Sequence, residues 1–452
     1  MIPTAAGISP APERAHGSGL DHDLQRLTAP APLETRTNRV LALGIGLLLA
    51  VIALRTQYIG TPTDFSTRVA PVDLLCVAML AILFLRHRMS SVPAPALLYM
   101  GAVALALVPG LMITPGPERD VWLQFSAVLM AFGFYLIGLN LGASPTLLRW
   151  LLAGVCIAVL AESVVIFHDT FSSHMWFPDP MEHRVRGTFK TNGQLGAFGF
   201  CAAGLLITFG GTLGSPGFRR LCAVSAILSA SFVFPASRRM GMLSVFAWGA
   251  LFAILGWRFA GRRFYQLFVG GLLAVLVLLA AFWPQVEASF AGRRFRDAVV
   301  VAGSHQDFIQ NQFRDSLLVV DRWFPFGFGL GRGAWIDPRD GFEIHNCFLA
   351  VLVEMGVLGL LGYAGMVVHP FLRRRWQQRS RDHELMGVLL TTTLLISVMF
   401  MLHNTLYRDR TFLLFLGVAT AVVLRESRMG ATSDTSARTR NEGSLRESWG
   451  PA

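Results

Sequence analysis

The stretch "GFEIHNCFLAVLVEMGVLGLLG", residues 341–362, decides how the rest of the chain is read. Polar "EIHN" runs directly into an apolar segment that holds one carboxylate, Glu354, and glycines at 356, 359 and 362. An apolar run of roughly 20 residues is long enough to cross about 30 Å of hydrocarbon. Runs of the same kind recur from residue 40 to 424, centred on 40–56, 70–85, 94–114, 121–142, 148–168, 193–210, 220–236, 240–257, 263–283, 346–368, 385–402 and 411–424. The whole chain of 452 residues is 53% hydrophobic and only 15% charged, where a soluble protein carries about a quarter charged residues. The predicted fold is therefore all-α, a polytopic membrane protein of about twelve transmembrane helices with a long external loop between spans nine and ten. A barrel would need short alternating strands, and the sequence has none.

Domain organisation follows from the same pattern. Residues 1–38, rich in Pro, Ala and charge, and residues 425–452 read as disordered tails around one transmembrane domain, 39–424. The start lacks the charged-then-apolar layout of a cleavable signal peptide. The net charge of +11 rests almost wholly on arginine, since Lys190 is the single lysine. These arginines lie between spans, which argues for orientation and lipid contact and against nucleic acid. "RHR" (86–88), Arg149, "RR" (219–220), "WRFAGRR" (257–263) and "RRRWQQRSR" (373–381) fall on one side and contain no acids. The positive-inside pattern puts that side, and both termini, in the cytoplasm. Cys76, Cys156, Cys201, Cys222 and Cys347 show neither disulfide nor metal spacing and read as small hydrophobes.

Two long external segments remain, 169–192 and 284–345, and both are rich in arginine. Arg184, Arg186, Lys190, Arg238, Arg239, Arg293, Arg294, Arg296, Arg314, Arg322 and Arg332 either contact headgroups and nearby acids or offer guanidinium forks to a phosphate. "GFGLGRG" (327–333) is a flexible linker or a backbone nest for an anion; it lacks the frame of a nucleotide-binding loop. His345 is an interfacial anchor or a titratable catalytic group at a helix N-terminus, and Asn346 is placed to cap that helix. Glu354 and Glu162 sit inside spans, where a carboxylate needs a partner or a function, an arginine being the expected partner. Gly356, Gly359 and Gly362 read as a close-packing face. No carboxylate or histidine cluster suggests a metal or other cofactor.

Four segments then come in a familiar order: "RVRGTFKTNGQLGAF" (184–198), "SRRMGMLSVFAW" (237–248), "FRDSLLVVDRWFPFGFGLG" (313–331) and "HNCFLAVLVEMGVLGLLG" (345–362). Together with the twelve-span layout they resemble the O-antigen ligase and polymerase superfamily of bacterial inner-membrane glycosyltransferases. The resemblance implies a metal-independent, inverting transfer on the periplasmic side, from an undecaprenyl-diphosphate-linked glycan to an acceptor hydroxyl on a glycan or on lipid A–core. It implies donor-diphosphate binding by Arg186, Arg238, Arg239 and Arg314. His345 and Arg314 would be catalytic, with Asn346, Glu354, Gly329 and Gly331 supporting. The chain departs from the family at Thr191, where many members carry the first asparagine after G-T-F, and at Trp323, displaced toward the glycines. The altered G-T-F stretch favours a polysaccharide polymerase over a lipid A–core ligase. The competing class, a transporter or flippase, would call for internal repeats and helices broken at mid-membrane.

Overall fold

The structure is a computed structural model. It describes residues 35–50, 71–86, 89–112, 118–171, 176, 185, 187–189, 192–210, 213–234, 239–256, 324–332, 344, 346–372, 381–401 and 406–425, with scattered positions in 266–284 and 314–320. Among the described residues the chain is helical and without a β-strand. Its elements are α1 (Arg36–Leu48), α2 (Pro71–Leu85), α3 (Ala94–Met112), α4 (Glu118–Ala143), α5 (Pro145–Phe171), α6 (Asn192–Gly210), α7 (Pro216–Ser231), α8 (Arg239–Gly256), α9 (Cys347–Leu372), α10 (Arg381–Met401) and α11 (410–425). Each lies on one of the apolar runs of the sequence. The span expected at 263–283, most of the long loop and both tails lie outside the described residues.

Local chemistry sets several starts. The Ser-Pro steps at 144–145 and 215–216 open α5 and α7, with Leu147 and Phe218 amides donating to the serine hydroxyls. A first-turn proline has no amide to leave unpaired, and its φ is already helical. Thr35 caps α1 and Asp409 caps α11. Four apolar helical stretches, Ala94–Met112, Asp120–Ala143, Pro145–Thr170 and Cys347–Pro370, have the length and composition to cross a membrane, the last of them interrupted at Gly356. Large apolar side chains also face outward along them, Leu105, Val108, Leu129, Ile157 and Val164 among them. Water does not tolerate such a surface on a folded monomer; lipid does. This is a helical membrane protein.

Packing is close because glycines let backbones meet. α1 crosses α5 at Gly46 and Gly154: a Cβ added to either would lie 2.3 Å from Leu151 O or 2.2 Å from Leu43 O. α11 crosses α4 the same way, at Gly138 and Gly417. α4 and α5 are joined through Ser144 alone, so the start of α4 and the end of α5 lie at the same end of the bundle, together with the end of α3. For brevity this is the Gly110 end.

One expected span is not a straight rod. Cys347 and Tyr363 are sixteen residues apart, about 24 Å along a helix, yet Cys347 Sγ lies 3.9 Å from the Tyr363 hydroxyl. The Phe348 and Tyr363 ring centroids are 5.7 Å apart. The two side chains reach too little to bridge a straight helix, so α9 doubles back. The break is Gly356, at φ 70° and ψ −166°, a region essentially restricted to glycine. Gly356 is therefore a bend and not part of the packing face expected of the three glycines. Gly362 does pack closely, against the Tyr99 backbone, and Gly359 against Met355. The fold brings Cys347 and the cap residue Asn346 alongside the second arm, 357–372, and Cys347 is fully buried there.

Candidate functional site

A broken helix leaves carbonyls and amides without their i, i+4 partners, and in a membrane these must be satisfied by protein. The segment 324–332 does this. Phe328 and Gly329 amides donate to the carbonyls of Val353 (2.6 Å) and Glu354 (3.1 Å), and the Val357 amide donates to the Pro325 carbonyl (3.0 Å). The Leu330 amide donates to Ala106 of α3. The amides of 328, 329 and 330 thus face protein carbonyls, so they form neither a flexible linker nor an open anion nest. Gly329 and Gly331 take positive φ, 110° and 74°, and a Cβ on Gly329 would stand 2.4 Å from the Gly110 amide nitrogen. Arg332, expected to face an external anion, is instead buried and donates twice to the Gly110 carbonyl, at 3.0 and 2.7 Å. A guanidinium there complements the negative end of the α3 dipole.

Beside the bend lies a buried polar chain. Gln124 Nε2 donates to Glu354 Oε2 (3.4 Å) and to the Tyr407 hydroxyl, and that hydroxyl donates to the same Oε2 at 3.3 Å. Arg408 Nη1 donates to Gln124 Oε1, and its guanidinium lies 5.8 Å over the Tyr407 ring. The bonds shown for Glu354 thus come from a glutamine and a tyrosine and not from the arginine expected, with Arg408 linked to it through the Gln124 amide. The same turn carries Arg410, which grips the fully buried Asp73 with two bonds of 2.7 and 2.8 Å. Sequence reading singled out none of Gln124, Tyr407, Arg408, Asp73 and Arg410. Asp73 in the first turn of an apolar run was the one usable signal.

Glu162 has a different partner from the arginine expected. Its Oε1 accepts from the Thr188 amide (2.7 Å), its Oε2 lies 2.8 Å from the Thr188 hydroxyl, and that hydroxyl reaches the Ala50 carbonyl at 2.6 Å. The "GTF" of the first motif is therefore anchored on α5 and on the end of the first helical segment, in the half of the bundle toward the Gly110 end. At that end the His168 imidazole stacks on Trp176 at 3.8 Å and lies 3.1 Å from buried Asp169.

The other candidates are placed as follows. Asn346 caps α9, its Oδ1 accepting from the Leu349 amide at 3.0 Å. Arg314 is helical and exposed. Arg239 is the first residue of α8. His345, Arg186 and Arg238 lie outside the described residues. The structure brings Glu354 and Gly329 together at the bend of α9, with Gln124, Tyr407 and Arg408 added; Gly331 packs on Asp120 of α4, and Asn346 caps the other end of the 347–355 arm. The five cysteines are buried and none is in a disulfide, and among the described residues no group of His, Cys, Asp or Glu could hold a metal. Compared with known proteins, the chain matches no family model and no curated protein.

Proposed function

We propose that this chain is a bacterial inner-membrane glycan transferase acting on the periplasmic side. It would move a glycan from undecaprenyl diphosphate to an acceptor hydroxyl, as a polysaccharide polymerase. The observation that carries the reading is the ordered run of four motifs from 184 to 362. Its support is physical as well as textual. The glycine-rich third motif and the "VEMG" of the fourth are bonded backbone to backbone, so two segments far apart in sequence belong to one unit.

In this reaction the acceptor oxygen attacks the anomeric carbon, a glycosidic bond forms, and the carbon–oxygen bond to the diphosphate breaks. The diphosphate leaves with the electron pair, and Arg186, Arg238, Arg239 and Arg314 stabilise its growing charge. His345 takes the hydroxyl proton or, protonated, joins the phosphate clamp while the departing diphosphate takes up that proton. Purified protein should release undecaprenyl diphosphate from an undecaprenyl-diphosphate oligosaccharide without any nucleotide. His345→Ala should abolish the release. Alanine at a true phosphate ligand should lower turnover by roughly 10²-fold, with little restored by lysine where the contact is bidentate. Wild-type turnover in all four arginine variants would place the diphosphate elsewhere. In cells, a His345→Ala strain that accumulates long carrier-linked polymer with a bare lipid A–core is a ligase mutant, not a polymerase mutant.

Cytoplasmic termini are part of the same reading. Cysteines introduced at Ser173 and Ser304 should react with an impermeant thiol reagent in intact cells, and one at Ser380 should not. Reaction at Ser380 would reverse the orientation.

The bend at Gly356 favours a second reading, since transporters use broken helices. Here, though, the backbone groups at the interruption are bonded to the segment 325–329. Vesicle uptake of the lipid-linked glycan without its cleavage would favour transport.

A further inference from the structure

We propose that residues 347–355 form a hinged lever, locked in place by Arg408, Gln124, Tyr407 and Glu354. These four would then be positioning residues for the Asn346 end of the lever. Three observations carry this. First, the arm is set off from the rest of α9: Gly356 has non-helical backbone, and the carbonyls of Val353 and Glu354 take bonds from the amides of 328 and 329. Second, the arm is a short rigid rod, helical from Cys347 and capped by Asn346. Third, besides those backbone bonds, its hinge end is pinned through one side chain. Glu354 receives hydrogen bonds from Gln124 on α4 and from Tyr407, and Arg408 holds the other end of the Gln124 amide.

The donors run one way, from the guanidinium through the amide and the phenol to the carboxylate. An amide has its oxygen fixed by the arginine and its nitrogen fixed by the other two, so it cannot turn over without losing all three bonds. That makes the lock cooperative. Breaking it at Gln124 frees Glu354 from α4 and lets the arm swing about Gly356, and the motion is largest at the far end.

The site of largest motion carries a native reporter. Cys347 is fully buried against Tyr363, so its reaction with N-ethylmaleimide measures how often the arm leaves its seat. The test uses full-length protein in which Cys347 is the only cysteine. A parallel background keeps only Cys201, buried in α6, to report general opening. Gln124→Leu should speed Cys347 labelling about tenfold and leave Cys201 unchanged. Tyr407→Phe, which removes one hydroxyl and is the safer variant for folding, should give a few-fold increase. Arg408→Lys should stay near wild type because lysine still reaches the amide oxygen. Unchanged Cys347 labelling in Tyr407→Phe and Gln124→Leu, or equal acceleration of Cys201, overturns the lever.

The positioning role rests on the transferase reading, and the labelling test does not. If transfer is observed, Gln124→Leu should lower kcat while KM for the lipid-linked donor stays within about twofold, since a misplaced group slows chemistry more than binding. Faster labelling with unchanged kcat would leave a lever that positions nothing, and the positioning claim fails.

Discussion

Gly356→Ala is expected to be among the most damaging single-methyl changes possible in this chain. The added carbon would stand 2.0 Å from the Pro325 carbonyl oxygen and 2.6 Å from the Phe326 carbonyl carbon. Neither can retreat, because both belong to the backbone that satisfies the break. The φ of 70° with ψ of −166° adds a conformational penalty of roughly 1–3 kcal/mol for any residue with a side chain. Together the two effects should lower stability by about 3 kcal/mol or more. The measurement is the unfolding midpoint of the detergent-solubilised protein. Gly101→Ala is the control: nothing lies within 4 Å of its added Cβ, and alanine favours the helix by about 0.5–1 kcal/mol. Equal midpoints for both variants would mean that α9 does not need its bend.

Arg410→Met is expected to have an effect of similar size for an electrostatic reason. Asp73 is fully buried, and its two oxygens each take a hydrogen bond from the Arg410 guanidinium. Removing the cation leaves the carboxylate in a low-dielectric setting, which in soluble proteins costs about 3–5 kcal/mol. The companion variant separates this cause from lost packing. Asp73→Asn combined with Arg410→Met removes the charge as well, and should recover most of the lost stability. A double variant no better than Arg410→Met alone would assign the damage to the arginine's stem and not to its charge.

What the residues disclose by themselves is uneven, and the reason is range. The spans are legible because lipid demands long uninterrupted apolar runs, and their starts because Ser144-Pro145 and Ser215-Pro216 act within one turn. Asn346 as a cap is legible for the same reason. Glu354 and Glu162 stand out as expensive, yet their partners do not: Thr188 lies 26 residues from Glu162, and Gln124 lies 230 from Glu354. No local rule selects a glutamine or a tyrosine over an arginine across such gaps. Gly356 misleads in a specific way. At spacing three with Gly359 and Gly362 it imitates a packing face. Only the carbonyl of Pro325, on a separate segment, reveals it as a break. Arg332 misleads likewise, because an arginine after a glycine-rich loop looks free until the carbonyl of Gly110 is found beneath it.

The glycine crossings have a consequence in time. α4 and α5 emerge as a hairpin, and α1, already made, can seat on α5 at Gly46 and Gly154 at once. The matching groove on α4, around Gly138 and Gly142, is shaped for the backbone of α11 near Leu414 and Val418, and α11 is the last described helix to be synthesised. Until then that groove can hold only lipid, and the turn that carries Tyr407, Arg408 and Arg410 has nowhere to dock. Both polar clusters at the Gly110 end are therefore completed by the same late event. Translation of the final helix acts as a checkpoint: a chain interrupted before it contains every segment of the four motifs but lacks the Tyr407 and Arg408 that complete the chain of bonds to Glu354 in the fourth.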